Sequence, residues 1–276
     1  ASCSQAENAE MPPVVKALEE QGLIVKNEFQ VEGGLRAFAS VAGDRPIAVY
    51  VLADGNAIVG TRLNAKAEPI DEQTLQSLVA QPISDQSWAE LESAKWVLDG
   101  KADAPRIVYV FTDANCPYCH QFWTASRPWV DTGKVQLRHL LVGIIKEDSP
   151  AKAAAILGAS DPSVALRENE IKYDQGGIKP ADIVPDDVQK ILDDNQKLML
   201  SQGFRGTPGI IVRDDEGLIQ KYGDNNVAIY ASCGSSPEHW LAENAVFTSK
   251  CGYREKRPGK LIYENRDGGS PTRVRP

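Results

Sequence analysis

The sequence predicts two folded domains in series, an α+β domain followed by an α/β domain, with a helix between them. Its length of 276 residues leaves room for two cores, at roughly 150 residues per domain. Short β-rich runs dominate up to residue 63, whereas strands and helices alternate after residue 105. Hydrophobic residues at 42% and charged residues at 25% are ordinary for globular proteins. Disordered, fibrous and coiled-coil chains are therefore excluded.

The first domain is expected to be a small antiparallel meander with one helix. Val14, Val15 and Leu18 recur at helical spacing, and Gly22 ends the helix. Four β-rich runs separated by turn residues follow, at 24–31, 35–41, 47–52 and 57–63. So small a sheet has a marginal core and exposed edges, which pairing with a second copy would cover. We therefore expect a dimer.

A helix over residues 86–98 is expected to connect the domains, with Gly100 just beyond its end. The continuous apolar run at 107–111 then predicts a buried central strand. A helix over 117–130 and a strand over 135–142 follow. Together these segments predict the start of an α/β domain.

A helical block and two strands complete this domain. Helix starts are marked by Ser149-Pro150, Asp161-Pro162 and Pro185-Asp186. The final strands are expected at 210–213 and 218–222, joined by a turn at 214–217. The helices are expected to pack on a mixed sheet.

The chemistry is concentrated in Cys116-Pro117-Tyr118-Cys119, which follows the central strand and opens a helix. Unpaired N–H groups and the positive end of the helix dipole stabilise a thiolate there, which makes Cys116 a nucleophile. Pro117 fits the first helical position because it has no N–H to lose. Cys119, one turn on, can close a disulfide with Cys116 and release a mixed disulfide.

Three other interpretations of the motif are weaker. Half a zinc site would need ligands from Cys233, Cys251 or one of three histidines, in no known zinc spacing. The pattern C-x-x-C-H also suits covalent haem, but the motif follows a central strand and the only methionines are Met11 and Met199. A purely structural disulfide would close too short a loop to stabilise much. We expect no metal and no cofactor.

Thr207-Pro208 lies between a turn-like glycine and an apolar strand. A cis bond there would leave backbone groups free for an incoming peptide. The dipeptide is a weak signal alone and a stronger one beside the cysteine motif.

The segment 116–123, which reads CPYCHQFW, and the run RPWV at 127–130 resemble the thioredoxin-fold domain of the DsbC/DsbG family of periplasmic disulfide isomerases. The DsbG branch is the most similar. The resemblance extends over residues 11–222. It implies Cys116 as the attacking thiol, Cys119 as the resolving thiol, and Thr207 with a cis Pro208 facing them as the substrate-binding loop.

The resemblance also implies an order of domains in a V-shaped homodimer. After a tail at 1–10 come a cystatin-like dimerisation domain at 11–85, a linker helix at 86–100, and a catalytic thioredoxin domain at 101–225 with a helical insertion at 148–202. A membrane reductase like DsbD is the implied source of electrons. One departure is His120, where DsbG-like sequences usually have lysine, so the charge beside the thiols differs.

The C-terminal extension at 226–276 has no counterpart in that family pattern. Cys233 and Cys251 are expected to form a structural disulfide there, with free or intermolecular thiols as the alternative. Cys3 is expected to be a free thiol, with lipid anchoring as the alternative. A net charge of −8 opposes nucleic-acid binding, and no apolar run is long enough to span a membrane.

These observations predict a periplasmic thiol:disulfide oxidoreductase or isomerase. Its reduced CPYC pair is expected to act on mispaired disulfides or sulfenylated cysteines of periplasmic proteins, with chaperone activity beside it. Two alternatives stay open. One is a holdase chaperone or binding module with a secondary redox role, and the other is a monomeric dithiol oxidase.

Overall fold

A computed structural model describes residues 10–43 and 45–223, which form two compact units that divide between Gln86 and Ser87. Cys3, Cys233, Cys251 and the extension at 226–276 lie outside the described residues. The pairing of Cys233 with Cys251 therefore stays a prediction. Within the described ranges, none of the helices combines the length and apolar character that a bilayer span requires.

The first unit contains the predicted antiparallel meander. Its strands follow in chain order, β1-β2-β3-β4, and every neighbouring pair is antiparallel. The helix predicted from the spacing of Val14, Val15 and Leu18 is present as α1. The bounds are α1 Pro13–Glu20, β1 Ile24–Gln30, β2 Arg36–Ala42, β3 Arg45–Val51 and β4 Ala57–Gly60.

Both faces of this sheet are covered. On one face Ala37, Ala39 and Tyr50 pack with Val79 from a later helix. On the other face Phe38 and Val49 pack with Val15 of α1. Because side chains alternate between faces along a strand, β2 is buried almost throughout.

The last strand of the meander is shorter than the predicted 57–63. It ends at Gly60, which is paired with Ala48. In this register residue 62 would lie opposite Pro46, which has no N–H to donate to a sheet. The chain instead turns, and Leu63 makes an isolated bridge with Pro69.

The prediction of a helix over 86–98 is wrong at both ends. The helix begins far earlier, as α2 (Glu72–Leu75), a π-turn (Gln76–Ala80) and α3 (Gln81–Ser93). Residues Val97–Asp99 form a strand, β5, paired with residues 137–139. Pairing and burial of Val97 outweigh the helical spacing of the apolar residues there. The π-turn comes just before Pro82, which cannot donate to the preceding turn.

The second unit is built on one mixed sheet of order β5-β7-β6-β8-β9. Strands β6 and β7 are parallel, and the other neighbours are antiparallel. The predicted central strand and the strand over 135–142 are both confirmed. The bounds are β6 Arg106–Asp113, α4 Pro117–Val130, β7 Val135–Val142, β8 Gly209–Arg213 and β9 Ile219–Tyr222.

This strand order, with a β-α-β unit followed by an antiparallel hairpin, is that of a thioredoxin-like α/β fold. Both sheet faces are buried. Val110 and Leu137 pack against Phe122 of α4. On the opposite face Phe111 and Leu140 belong to a core that includes Met199 and Phe204. The continuous apolar run of β6 is explained by this double burial.

The helical insertion has the three starts that the sequence predicts. Its helices are α5 (Ser149–Leu157), α6 (Pro162–Ile171) and α7 (Asp186–Ser201), with a short 3-10 helix at Tyr173–Gln175. Asp161 caps α6 by accepting a hydrogen bond from the Val164 N–H at 3.1 Å. The insertion has its own core, in which α5, α6 and α7 meet.

A buried ion pair fixes the edge strand to α4. Both Asp99 oxygens accept hydrogen bonds from the Arg127 guanidinium, and Nε2 of His139 lies 3.6 Å from the Asp99 carboxylate. Burial alone would raise the pKa of Asp99, but attraction to His139 and Arg127 outweighs burial and lowers this pKa to about 2. The carboxylate is therefore charged in the folded protein.

Replacing Asp99 by Asn is expected to lower the free energy of unfolding by about 2 kcal/mol at neutral pH. Because the pKa is depressed on folding, this stabilisation is present above the ordinary value of 3.8 and is lost as pH falls towards about 2. Urea unfolding of Asp99→Asn and wild type at pH 7 and pH 3 measures the difference. Asp131→Asn is the control, because Asp131 is an exposed partner of Arg127; an equal loss in both variants would contradict the prediction.

Candidate active site

The site lies where β6 ends and α4 begins. Cys116 is the N-cap residue of α4, and Cys119 lies in its first turn. In the β6–β8 register Phe111 pairs with Gly209, which brings Thr207 next to the end of β6. The Thr207–Pro208 bond is cis, as expected. The fold thus brings together the cysteine motif and the Thr-Pro loop, which are far apart in the sequence.

The sulfur of Cys116 is itself the helix cap. It accepts a hydrogen bond from the Cys119 N–H at 3.1 Å, while Pro117 occupies the first helical position. A capping sulfur stabilises the helix more when it carries a negative charge, because the first turn presents unpaired N–H groups. Tyr118 is half exposed beside the two buried cysteines, which are free thiols.

The two sulfurs differ in acidity. The adjacent Cys119 thiol lowers the pKa of Cys116, and this effect outweighs burial. Burial, together with the neighbouring Cys116 sulfur, raises the pKa of Cys119 well above its ordinary range. Cys116 therefore becomes the thiolate first and Cys119 keeps its proton, which suits one sulfur to attack and the other to resolve.

Thr207 faces the sulfurs through its backbone and its side chain. Its carbonyl oxygen lies 3.4 Å from Sγ of Cys116 and accepts from the thiol. Its buried hydroxyl has no hydrogen-bond partner among the described residues. The Thr207 side chain lowers the pKa of both cysteines, because its hydroxyl favours the thiolate form of a nearby sulfur.

Asp113 shapes the loop that leads into the motif. Its buried carboxylate accepts hydrogen bonds from the backbone N–H groups of Asn115, Ile144 and Ile145 and from the Ser149 hydroxyl, at 2.7 to 3.0 Å. Its carbonyl accepts from the Cys116 N–H. One side chain thus ties the end of β6 to the segment after β7 and to the start of α5.

The helical insertion holds the same loop from the other side. Buried Lys152 donates to the Asn115 side-chain oxygen at 2.7 Å and to the Gly176 carbonyl at 2.8 Å. Asn169 donates to the Ala114 carbonyl at 3.1 Å, and the Tyr173 hydroxyl donates to the Asn115 carbonyl at 3.1 Å. Helices α5 and α6 and the 3-10 helix therefore all donate hydrogen bonds to Ala114 or Asn115, the two residues just before Cys116.

His120 joins the active-site helix to the insertion. Its Nδ1 lies 2.8 Å from Oε2 of Glu170, and its ring stacks on the Tyr173 ring with centroids 4.3 Å apart. Burial raises the pKa of Glu170, and the bond to His120 opposes this. Burial and the nearby Cys116 raise the pKa of Tyr173 to about 12, so its phenol stays protonated.

Asp113, Lys152, Asn169, Glu170 and Tyr173 are site residues that the sequence analysis missed. All but Asp113 come from the insertion, where only the apolar spacing and the helix starts were informative. Polar residues on a helix are normally interpreted as solvent-facing, so their burial carries no signal in one sequence. Asp113 could have been noticed as a carboxylate ending an otherwise apolar strand.

In the described part of the chain, no three His, Cys, Asp or Glu side chains cluster so that they could hold a metal ion. His139, one of the three histidines in the chain, is instead hydrogen-bonded to the Thr112 hydroxyl at 2.8 Å.

The chain is similar to two thiol:disulfide interchange proteins named DsbG. Identity to that of Pseudomonas aeruginosa is 40% over 213 residues, covering 77% of this chain and 83% of that protein. Identity to that of Escherichia coli is 41% over 213 residues, covering 77% and 86%. Among solved structures, Helicobacter pylori DsbG matches 73% of this chain and 100% of its own, with 18% identity and a TM-score of 0.37. No protein-family model matches the chain.

Replacing Lys152 by Met is expected to lower the free energy of unfolding by about 1 to 3 kcal/mol, because the buried side-chain oxygen of Asn115 and the part-buried Gly176 carbonyl lose their donor. Urea unfolding measures this loss. Lys172→Met is the matched control, since Lys172 makes only an exposed pair with Glu168, and we expect a change of less than about 0.5 kcal/mol. Equal losses in the two variants would show that Lys152 does not stabilise the loop.

Proposed function

We propose, because this chain belongs to the family of DsbG thiol:disulfide interchange proteins, that Cys116 and Cys119 are the residues with which it carries out this interchange. Family membership makes the protein an enzyme of thiol:disulfide oxidoreduction. The observation that carries the assignment of residues is the unequal pair of sulfurs at the start of α4. The Cys116 sulfur caps the helix and has a lowered pKa, whereas buried Cys119 has a raised pKa.

In the first step the Cys116 thiolate attacks one sulfur of a substrate disulfide. The substrate S–S bond breaks, a mixed disulfide forms on Cys116, and the second substrate sulfur leaves as a thiolate. That thiolate can attack another disulfide of the same substrate and release a further substrate thiolate. When the released thiolate attacks the mixed disulfide, Cys116 leaves as a thiolate and the substrate keeps rearranged bonds with no net change in oxidation. This sequence is isomerisation.

In the second step Cys119 loses its proton and attacks the Cys116 sulfur. The substrate thiol leaves, and the enzyme holds a Cys116–Cys119 disulfide, so two electrons have passed to the substrate. A dithiol reductase must return them, and a membrane reductase like DsbD is the proposed partner. The Thr207 loop, adjacent to Cys116, is the proposed substrate-binding backbone.

A sulfenylated cysteine is the second proposed substrate class. The Cys116 thiolate attacks the sulfenic sulfur, the hydroxyl group leaves as water after protonation, and the same mixed disulfide forms. Cys119 then resolves it as before. Both substrate classes use one nucleophile, so they differ only in whether the substrate brings one or several cysteines.

We also propose that residues 11–85 dimerise, that residues 101–225 form the catalytic domain, and that the protein works in the periplasm. In the first unit β1 and β4 are the edge strands, and Ile24 and Ile58 are more than half exposed. Such edges and apolar side chains support pairing with a second copy. The periplasm suits substrates that carry oxidised cysteines.

Trapping of substrates tests the proposed function. In Cys119→Ser the mixed disulfide on Cys116 cannot be resolved, so periplasmic proteins are expected to accumulate as disulfide-linked conjugates. These conjugates are isolated under non-reducing conditions, and mass spectrometry identifies the trapped proteins. Cys116→Ser is the control and should trap none. Partners with several cysteines support isomerisation, and partners with one support rescue of sulfenylated thiols.

An empty trap would contradict the proposed function. If the same protein still suppressed aggregation of an unfolded client, a holdase chaperone would replace it. Sedimentation as a monomer at micromolar concentration would contradict the dimer and favour a dithiol oxidase.

A further inference from the structure

The mechanism above leaves one buried acid near the thiols without a role. Glu170 lies on α6 with 2% of its side chain exposed, and its Oε2 is 2.8 Å from Nδ1 of His120. An unpaired buried carboxylate is costly, so its partner matters to its charge. A carboxylate can only accept, so Nδ1 is the donor in this pair.

His120 lies in the first turns of the helix that carries the two cysteines. His120 directly follows Cys119, one helical turn after Cys116. Its backbone N–H donates to the Cys116 carbonyl at 3.1 Å. Its ring stacks on the Tyr173 ring, and the two ring planes are only 6° from parallel. The Tyr173 hydroxyl in turn donates a hydrogen bond to the carbonyl of Asn115, which directly precedes Cys116. The imidazole is therefore held by a carboxylate on one edge and by an aromatic face.

We propose that Glu170 is a positioning residue for the thiol chemistry: its carboxylate charge favours the imidazolium form of His120 at the start of α4, and this positive charge stabilises the Cys116 thiolate. The inference rests on the proposed role of Cys116 as the nucleophile. A fixed cation near a thiolate raises the fraction of thiol that is ionised. Histidine needs a partner to keep that charge at neutral pH, whereas lysine does not.

The charged and titratable groups around this pair come from every element that packs there. Cys116 and Cys119 lie on α4, Asp113 on β6, His139 on β7 and Tyr173 on the 3-10 helix. Tyr173 stays neutral, and His139 acts on Glu170 in the same sense as His120, favouring the carboxylate. Asp113 opposes the thiolate but is held by its four hydrogen-bond donors.

The ionisation of Cys116 tests the inference. Thiolate absorbance at 240 nm is followed against pH in reduced full-length protein. In Glu170→Gln the amide keeps the size of the side chain but carries no negative charge to favour the imidazolium. At the pH where half of the wild-type thiol is ionised, the thiolate fraction is therefore expected to fall about three- to tenfold. Glu168→Gln is the control, because it removes a carboxylate from the same helix that bonds only exposed Lys172.

Two changes at His120 keep the test independent of how Glu170→Gln folds. His120→Gln removes the cation and should lower the thiolate fraction as Glu170→Gln does. His120→Lys supplies a cation that needs no partner and should keep it at the wild-type level, including when combined with Glu170→Gln.

The inference is overturned if Glu170→Gln titrates like Glu168→Gln, or if it raises the thiolate fraction, because the carboxylate would then act by direct repulsion. It is equally overturned if Lys and Gln at position 120 behave alike. Exchange of wild-type protein with a small disulfide is measured in parallel. Absence of exchange would contradict the proposed function, whereas normal exchange with an unshifted titration would contradict only the role of Glu170.

Discussion

The hydrogen bond from the Cys119 N–H to the Cys116 sulfur is the contact around which the site is organised. It makes the Cys116 sulfur the cap of α4, so a negative charge on that sulfur also stabilises the first turn of the helix. The same turn buries Cys119 beside it, which separates the acidities of the two thiols. Reactivity and local folding are thus properties of one backbone arrangement.

That arrangement is held from two directions. Asp113 fixes the entering loop from the sheet, and Lys152 with Asn169 fixes it from the insertion. Behind the helix, the Asp99–Arg127 pair ties α4 to the edge strand. All of these contacts are charged or polar and buried, so each loses much if one partner is removed. The insertion therefore belongs to the candidate active site and also covers the sheet.

Much of this could be predicted from sequence because the signals are local. The β6 run, the Pro117 start and the 135–142 strand each follow from apolar patterning or helix-start chemistry, and the CPYC motif directly after a central strand indicates dithiol chemistry. Val97 was misassigned because strand pairing with β7 is a long-range contact that no local pattern reports. Lys152 and Glu170 were missed because a buried polar residue on a helix is recognisable only through its distant partner.

The central claim is that Cys116 attacks and Cys119 resolves, and the site of glutathione attachment tests it most directly. Two reduced variants, each of which keeps one cysteine of the motif, are mixed with oxidised glutathione at pH 7 and quenched with acid at successive times. Mass spectrometry then identifies the cysteine that carries glutathione. We expect rapid addition to Cys116 in Cys119→Ser and slow addition to Cys119 in Cys116→Ser, because the pKa of Cys116 is lowered and that of buried Cys119 is raised. Equal rates at the two sulfurs, or faster addition to Cys119, would contradict it.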